Sequence, residues 1–302
     1  MNTIIQCQGV SQAFGSKKVL QQLDFTLQQG EVAALIGPNG AGKTTLFSIL
    51  CGYLKPNSGT VLLFGHKPGS AALFGKVAAL PQDAQFDPAF SIGEQLDFYG
   101  RLQGLSSKAA RAETERVLAL VGLSEQRQHK AGALSHGMRK RAAIAQAFIG
   151  APQLILLDEP TAGLDPVNAL QIRQLISRLS AEVSFVISSH NIFELEQLCN
   201  KVLYLEQGRL KTETNSNADS QQQYLTLQLE QDDSAAVTQA LSTLPGVVSI
   251  EAVQQKTLLL CYQAQQNADF DLAVLQCLAA NGWRYRNLTK GKTLEQKLFS
   301  SV

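Results

Sequence analysis

The chain has 302 residues, 45% of them hydrophobic and 17% charged, with a formal net charge of +1. Such values suit a globular protein of about two domains, and the near-zero charge gives no electrostatic footing for nucleic acid or anionic lipid. No run approaches the ~20 continuous apolar residues needed to cross a bilayer. The N-terminal MNTIIQCQGV lacks the basic-then-apolar order of a signal peptide, and Cys7, Cys51, Cys199, Cys261 and Cys277 show no C-x-x-C spacing, so reduced thiols in a cytosolic setting are expected.

Residues 3–36 alternate short apolar runs with glycine and polar turns, which predicts β-structure. Phe14 in QAFGSKKVL is either an aromatic available for stacking on a purine ring or an ordinary core phenylalanine. Val32 to Ile36 then reads as a buried strand, and Gly37-Pro38-Asn39-Gly40-Ala41-Gly42-Lys43-Thr44 matches the phosphate-loop pattern without a mismatch. Leu46, Ile49 and Leu50 follow at helical spacing. Glycines allow a tight turn that gathers N–H groups into an anion-binding concavity, and a helix N-terminus adds unpaired donors and the positive end of its dipole. In that setting Lys43 reaches β- and γ-phosphates and the Thr44 hydroxyl serves a Mg²⁺ ion.

Strands are predicted at Thr60 to Phe64 and at Val77 to Leu80, the latter ending at Pro81-Gln82. Between residues 91 and 150 the pattern becomes helical, as in SKAARAETERVLALVGL: an insertion of about sixty residues between strands of an α/β core. It ends in Leu134-Ser135-His136-Gly137-Met138. There Ser135, the Gly137 backbone and a helix start can form a second phosphate-contacting surface, although Ser-x-Gly is also a common helix cap.

LILLDEP, residues 154–160, is a buried strand ending in paired carboxylates. Beside a phosphate loop, Asp158 suits Mg²⁺ and Glu159 suits a general base for water. Asp165 in TAGLDP fits an N-cap, and SFVISS leads to His190, within reach of a γ-phosphate. From about Lys211 the polar stretch KTETNSNADSQQQ reads as a linker. Beyond it the order is strand (Tyr224 to Glu230), helix (Ser234 to Leu244), two strands joined near Gln254-Gln255, helix (Phe270 to Asn281), strand (Gly282 to Leu288) and a helix from Thr293. The order βαββαβ predicts a small ferredoxin-like sandwich, in which no phosphate loop, metal cluster or paired carboxylate stands out.

These motifs together resemble the nucleotide-binding subunit of an ABC transporter over residues 1 to about 212: GPNGAGKTT as Walker A, LPQ as the Q-loop, LSHGM as the signature, LILLDEP as Walker B, AGLD as the D-loop and SSH as the switch histidine. The resemblance implies a P-loop α/β core over residues 1–212 with a helical subdomain near 83–150; the composition and element order beyond it set a linker at 213–223 and an α+β unit at 224–302. It implies ATP and Mg²⁺, with ATP bound by Phe14, residues 37–45 (Gly37 to Thr45), Gln82 and Asp165. It implies a metal set of Thr44, Gln82 and Asp158, and catalysis by Glu159 and His190. It further implies a homodimer in which Ser135 and Gly137 of one copy meet the nucleotide of the other. Phe14 stands where tyrosine is usual, His136 where glycine is usual, and Met138 where glutamine is usual.

The extra small domain and the closing TLEQKLF look like the tails of export-type subunits, which end in Leu-Glu-x-x-Phe; here one extra residue precedes the phenylalanine. The resemblance therefore implies a separately encoded membrane permease and a place on the cytoplasmic face of the cell membrane. The rival expectation is an ABC-type ATPase that acts on ribosomes or DNA without transport.

Overall fold

A computed structural model describes residues 2–189, 198–214, 222–263 and 269–291. They fall into two compact units, Met1–Thr214 and Asn215–Val302, each built on its own apolar core.

In the first unit, β1 (Thr3–Phe14) and β2 (Lys17–Gln28) form a hairpin, and β4 (Ser58–Leu63) joins it in an antiparallel sheet ordered β2-β1-β4. A second sheet contains β3 (Val32–Ile36), β5 (Val77–Leu80), β6 (Leu154–Asp158), β7 (Ser184–Ser189), β8 (Lys201–Glu206) and β9 (Arg209–Thr214), in the order β5-β6-β7-β3-β8-β9. All its neighbours pair in parallel except β8 and β9. The sequences VAALI, LILLD and SFVISS are buried at every position, as expected of parallel strands covered on both faces. Helix α1 (Lys43–Leu50) fastens the two sheets together: Leu46, Phe47, Ile49 and Leu50 share one core with Ile5 and Leu20 of the hairpin and Leu35, Leu156 and Val186 of the larger sheet.

The expected insertion folds as α2 (Ile92–Leu102), α3 (Ser107–Leu120) and α4 (His136–Ala147). Ser91 begins α2 with a capping box: its hydroxyl accepts the Glu94 N–H, and the Glu94 carboxylate accepts the Ser91 N–H. Those bonds hold the Glu94 carboxyl below its ordinary value. The Arg127 guanidinium donates to Asp97 at 2.8 Å, tying the segment before α4 to α2. Phe148, just past α4, meets Phe185 of β7 edge-on at 6.1 Å. Helix α5 (Pro166–Leu179) lies between β6 and β7 in the chain, with Asp165 as its N-cap.

The second unit contains β10 (Gln222–Leu229), α6 (Ser234–Leu241), β11 (Val247–Gln254), β12 (Thr257–Gln263), α7 (Phe270–Ala280) and β13 (Tyr285–Lys290). The antiparallel order β11-β12-β10-β13 is that of a ferredoxin-like sandwich. Leu225, Leu227, Leu258 and Leu260 face Val237, Leu241, Val274 and Leu278 in its core, and Tyr262 stacks on Phe270 with ring centroids 4.1 Å apart.

Several boundaries differ from expectation for local reasons. β9 continues to Thr214 because Lys201 still pairs with it. β4 ends at Leu63, since Phe64 takes a left-handed conformation at φ 48°. Helix α6 stops at Leu241, short of the expected Leu244. The last described strand starts at Tyr285 rather than Gly282, whose φ of 72° belongs to the turn that ends α7. His190 and the expected helix from Thr293 lie outside the described residues.

Candidate active site

Pairing register gathers the chemistry at one edge of the larger sheet. β7 lies between β3 and β6, with Ile36 beside Ser189 and Asp158 beside Ser188. The chain therefore leaves β3 into the glycine loop at the same edge where β6 ends in its carboxylates.

The loop is shaped by what glycine alone permits. A Cβ on Gly37 would stand 2.2 Å from the Leu205 carbonyl oxygen. Gly42, at φ 110°, would bring one 2.8 Å from Leu20 Cδ2 and 3.1 Å from the Val19 carbonyl oxygen. The loop is thus pressed between β8 and β2, while Pro38, Asn39 and Gly40 form its exposed tip. Ala41 N–H donates to the Pro38 carbonyl at 3.2 Å and Leu46 N–H to the Gly42 carbonyl at 2.9 Å. The N–H groups of Gly40, Gly42, Lys43, Thr44 and Thr45 have no hydrogen-bond partner among the described residues. That is a set of orphan donors of the kind that binds phosphate. The Lys43 side chain folds back over them, its Nζ donating to the Gly37 carbonyl at 2.7 Å and the Pro38 carbonyl at 3.3 Å. Thr44 is exposed on the first turn of α1, and Thr45 half-buried.

Asp158 and Glu159 are both buried, at 6% and 7% exposure. Ser188 holds the pair: its hydroxyl donates to Asp158 Oδ1 and accepts the Glu159 N–H at 2.9 Å. Glu159 has φ 49°, a left-handed conformation that costs a residue with a side chain about 1–3 kcal/mol. Such strain persists where surroundings dictate it, and here it falls on the first residue past the end of β6. Ser188 was not singled out in the sequence; its only signal there was a polar end to an otherwise apolar strand.

The remaining expected residues occupy three settings: two helix N-termini, a cavity beside them and the β1–β2 hairpin tip. Ser135 caps α4, accepting the Met138 N–H at 3.2 Å, and Gly137 is buried. Asp165 caps α5, its Oδ1 accepting from the N–H groups of Val167 at 3.0 Å and Asn168 at 3.1 Å. No hydrogen bond joins Ser135 or Gly137 to the glycine loop among the described residues. Gln82 lines a cavity of about 470 Å³ with Asp83, His136, Arg139, Lys140 and Ala162. Lys140 Nζ donates to the Gln82 carbonyl at 3.2 Å, linking that segment to α4. Burial pushes the Lys140 ammonium below its ordinary value, and the nearby carboxylates of Asp158, Asp83 and Glu159 oppose that fall. Phe14 sits at the tip of the β1–β2 hairpin, 54% exposed, so the core reading of this residue is excluded.

The chain matches the family described as ABC transporter over residues 20–162. It is similar to the Nod factor export ATP-binding protein I of Burkholderia lata, 38% identical over 208 residues that cover 68% of each chain. It is also similar to the linearmycin resistance ATP-binding protein LnrL of Bacillus subtilis, 32% identical over 210 residues and again 68% of each. Among solved structures, cbiO1 of Clostridium perfringens, part of the ABC transporter complex cbiONQ, superimposes with a TM-score of 0.65 at 26% identity, covering 71% of this chain and 89% of that one. With a glycine loop of orphan donors and buried paired carboxylates at one sheet edge, the chain belongs to the ABC transporter family as an ATP-binding, ATP-hydrolysing subunit.

Proposed function

We propose that this chain drives an exporter from the cytoplasmic face of the cell membrane, coupling ATP-driven closure of a homodimer to a separately encoded permease. Five orphan N–H groups beside Lys43, at the same sheet edge as the Ser188-held carboxylates, carry this reading. The N–H groups bind the β- and γ-phosphates, and Lys43 exchanges its loop carbonyls for phosphate oxygens. Phe14 offers its exposed ring to the adenine.

A Mg²⁺ ion fits the donor set. Among the described residues no group of three His, Cys, Asp or Glu side chains could hold a metal. Magnesium in phosphate sites needs only one or two protein oxygens beside phosphates and water. Thr44 and Asp158 would supply those oxygens, with Gln82 completing the set, and a bound ion would supply charge neutralisation at the transferred phosphoryl group. Glu159 takes the proton of the attacking water, and His190 holds the γ-phosphate. Ser135 and Gly137, which among the described residues make no hydrogen bond to their own glycine loop, serve the nucleotide of a second copy, and Asp165 borders that junction. Among the described residues no helix is long and apolar enough to cross a membrane; in this reading the permease supplies the transport path. The two named relatives, one an export protein and one a resistance protein, favour export.

The test is fractionation of the tagged chain from its own cells, with ATP hydrolysis measured with and without EDTA. Recovery with membranes in a complex containing one integral membrane protein, and hydrolysis lost on chelation and restored by Mg²⁺, is the expected result. Recovery with ribosomes or DNA would overturn it in favour of the rival class.

A further inference from the structure

The first turn of α4 rests on the turn that follows Glu159. A Cβ on Gly137 would stand 2.5 Å from both Cγ and Oδ1 of Asn168 and 2.8 Å from its Nδ2. Gly137 thus lies against the face of the Asn168 amide with no room for a methyl group. The amide is not free to swing aside, because Nδ2 donates to Asp165 Oδ2 at 2.6 Å while the Asn168 N–H donates to Asp165 Oδ1. The Asn168 side-chain bond is the main cause holding the Asp165 carboxyl below its ordinary value.

A second contact joins the same two segments. A Cβ on Gly163 would lie 3.5 Å from His136 Cε1, so the histidine found where the family usually has glycine packs beside the turn of its own chain. That turn is bonded to the carboxylate end of β6: Ala162 N–H donates to the Glu159 carbonyl at 3.2 Å, and Leu164 N–H to the Thr161 carbonyl at 3.2 Å. A continuous path of packed and bonded atoms therefore runs from Glu159 through Asp165 and Asn168 to Gly137.

We infer that Asn168 is a positioning residue that sets the height of the signature segment against the Glu159 turn. One copy then presents Ser135 and Gly137 to its partner's nucleotide only when its own Glu159 turn is in register. The inference rests on the proposed reading in which ATP lies between two copies. An amide suits the position: it fills the space under Gly137 and supplies the donor that Asp165 needs, whereas a carboxylate there would oppose Asp165 and add negative charge beside a segment that meets phosphate.

The experiment uses the full chain carrying Glu159→Gln, in which bound ATP persists and a nucleotide-bound dimer can be counted by light scattering. Nucleotide affinity of the monomer is measured in parallel with a fluorescent ATP analogue, and circular dichroism checks folding. Asn168→Ala is expected to raise the ATP concentration at half-dimerisation about tenfold while leaving monomer affinity within twofold; a simple loss of stability would not split the two readouts. Gly137→Ala is expected to weaken dimerisation more than tenfold. The double variant Gly137→Ala/Asn168→Ala should recover at least threefold over Gly137→Ala, because truncating the amide clears the added methyl. A parent that dimerises with ATP but shows no such recovery, or an Asn168→Ala variant that dimerises like the parent, overturns the inference alone. A parent that never dimerises with ATP overturns the shared-nucleotide reading and this inference with it.

Discussion

The two units of this chain follow opposite habits in placing polar residues. In the second unit the alternating strands put leucines under two helices, a stacked Tyr262–Phe270 pair closes the core, and Lys256, its one described left-handed non-glycine residue, sits at a hairpin turn. In the first unit, two carboxylates are buried at the end of an apolar strand, one of them on strained backbone, and five N–H groups at the same sheet edge have no hydrogen-bond partner among the described residues. Buried charge, strained backbone and unpaired donors gathered at one edge mark where local rules yield to chemistry.

That contrast can be tested by damaging each unit separately. The largest effect on folding should come from Phe270→Ala, which removes a fully buried ring stacked on Tyr262 and should cost about 3–5 kcal/mol in the second unit. Thermal unfolding should show that unit melting early, while ATP hydrolysis at moderate temperature stays within twofold. A matching loss of hydrolysis would mean that the two units are not separable in function. Ser188→Ala should leave the Glu159 N–H and Asp158 without their shared partner, a loss of about 1–3 kcal/mol. Where the same energy is lost from the transition state, steady-state kinetics should show kcat falling about fivefold to 150-fold.

How far the sequence revealed these features depended on whether cause and effect lay close along the chain. VAALI before the glycine loop and LILLDEP declared themselves because strand, turn and chemistry are consecutive. The second unit was readable as βαββαβ because each strand and helix carries its own period. Ser188 and Asn168 were not readable. Ser188 acts on Asp158 across thirty positions through a parallel pairing, and Asn168 meets Gly137 only after α5 has been set against α4. Glu159's left-handed backbone also has no sequence signature, since nothing in the letter E marks a strained position. Phe14 was ambiguous because a hairpin tip and a core strand can present the same short apolar run.

The smallest of the expected effects concerns that residue. Phe14→Ala removes a ring available for stacking but no loop donor, so nucleotide affinity should fall about threefold to tenfold, the equivalent of about 0.5–1.5 kcal/mol, with kcat little changed. A fluorescent-nucleotide titration measures it, and an unchanged affinity would place the adenine elsewhere.

The most direct test of the central claim, that the buried carboxylates at this sheet edge perform the hydrolysis, is kcat for Glu159→Gln beside wild type, with nucleotide affinity measured on the same samples. The expected result is a fall of at least about a hundredfold, the scale of a lost general base, with affinity within threefold. Equal kcat in the two proteins would contradict the claim and show that another group activates the water.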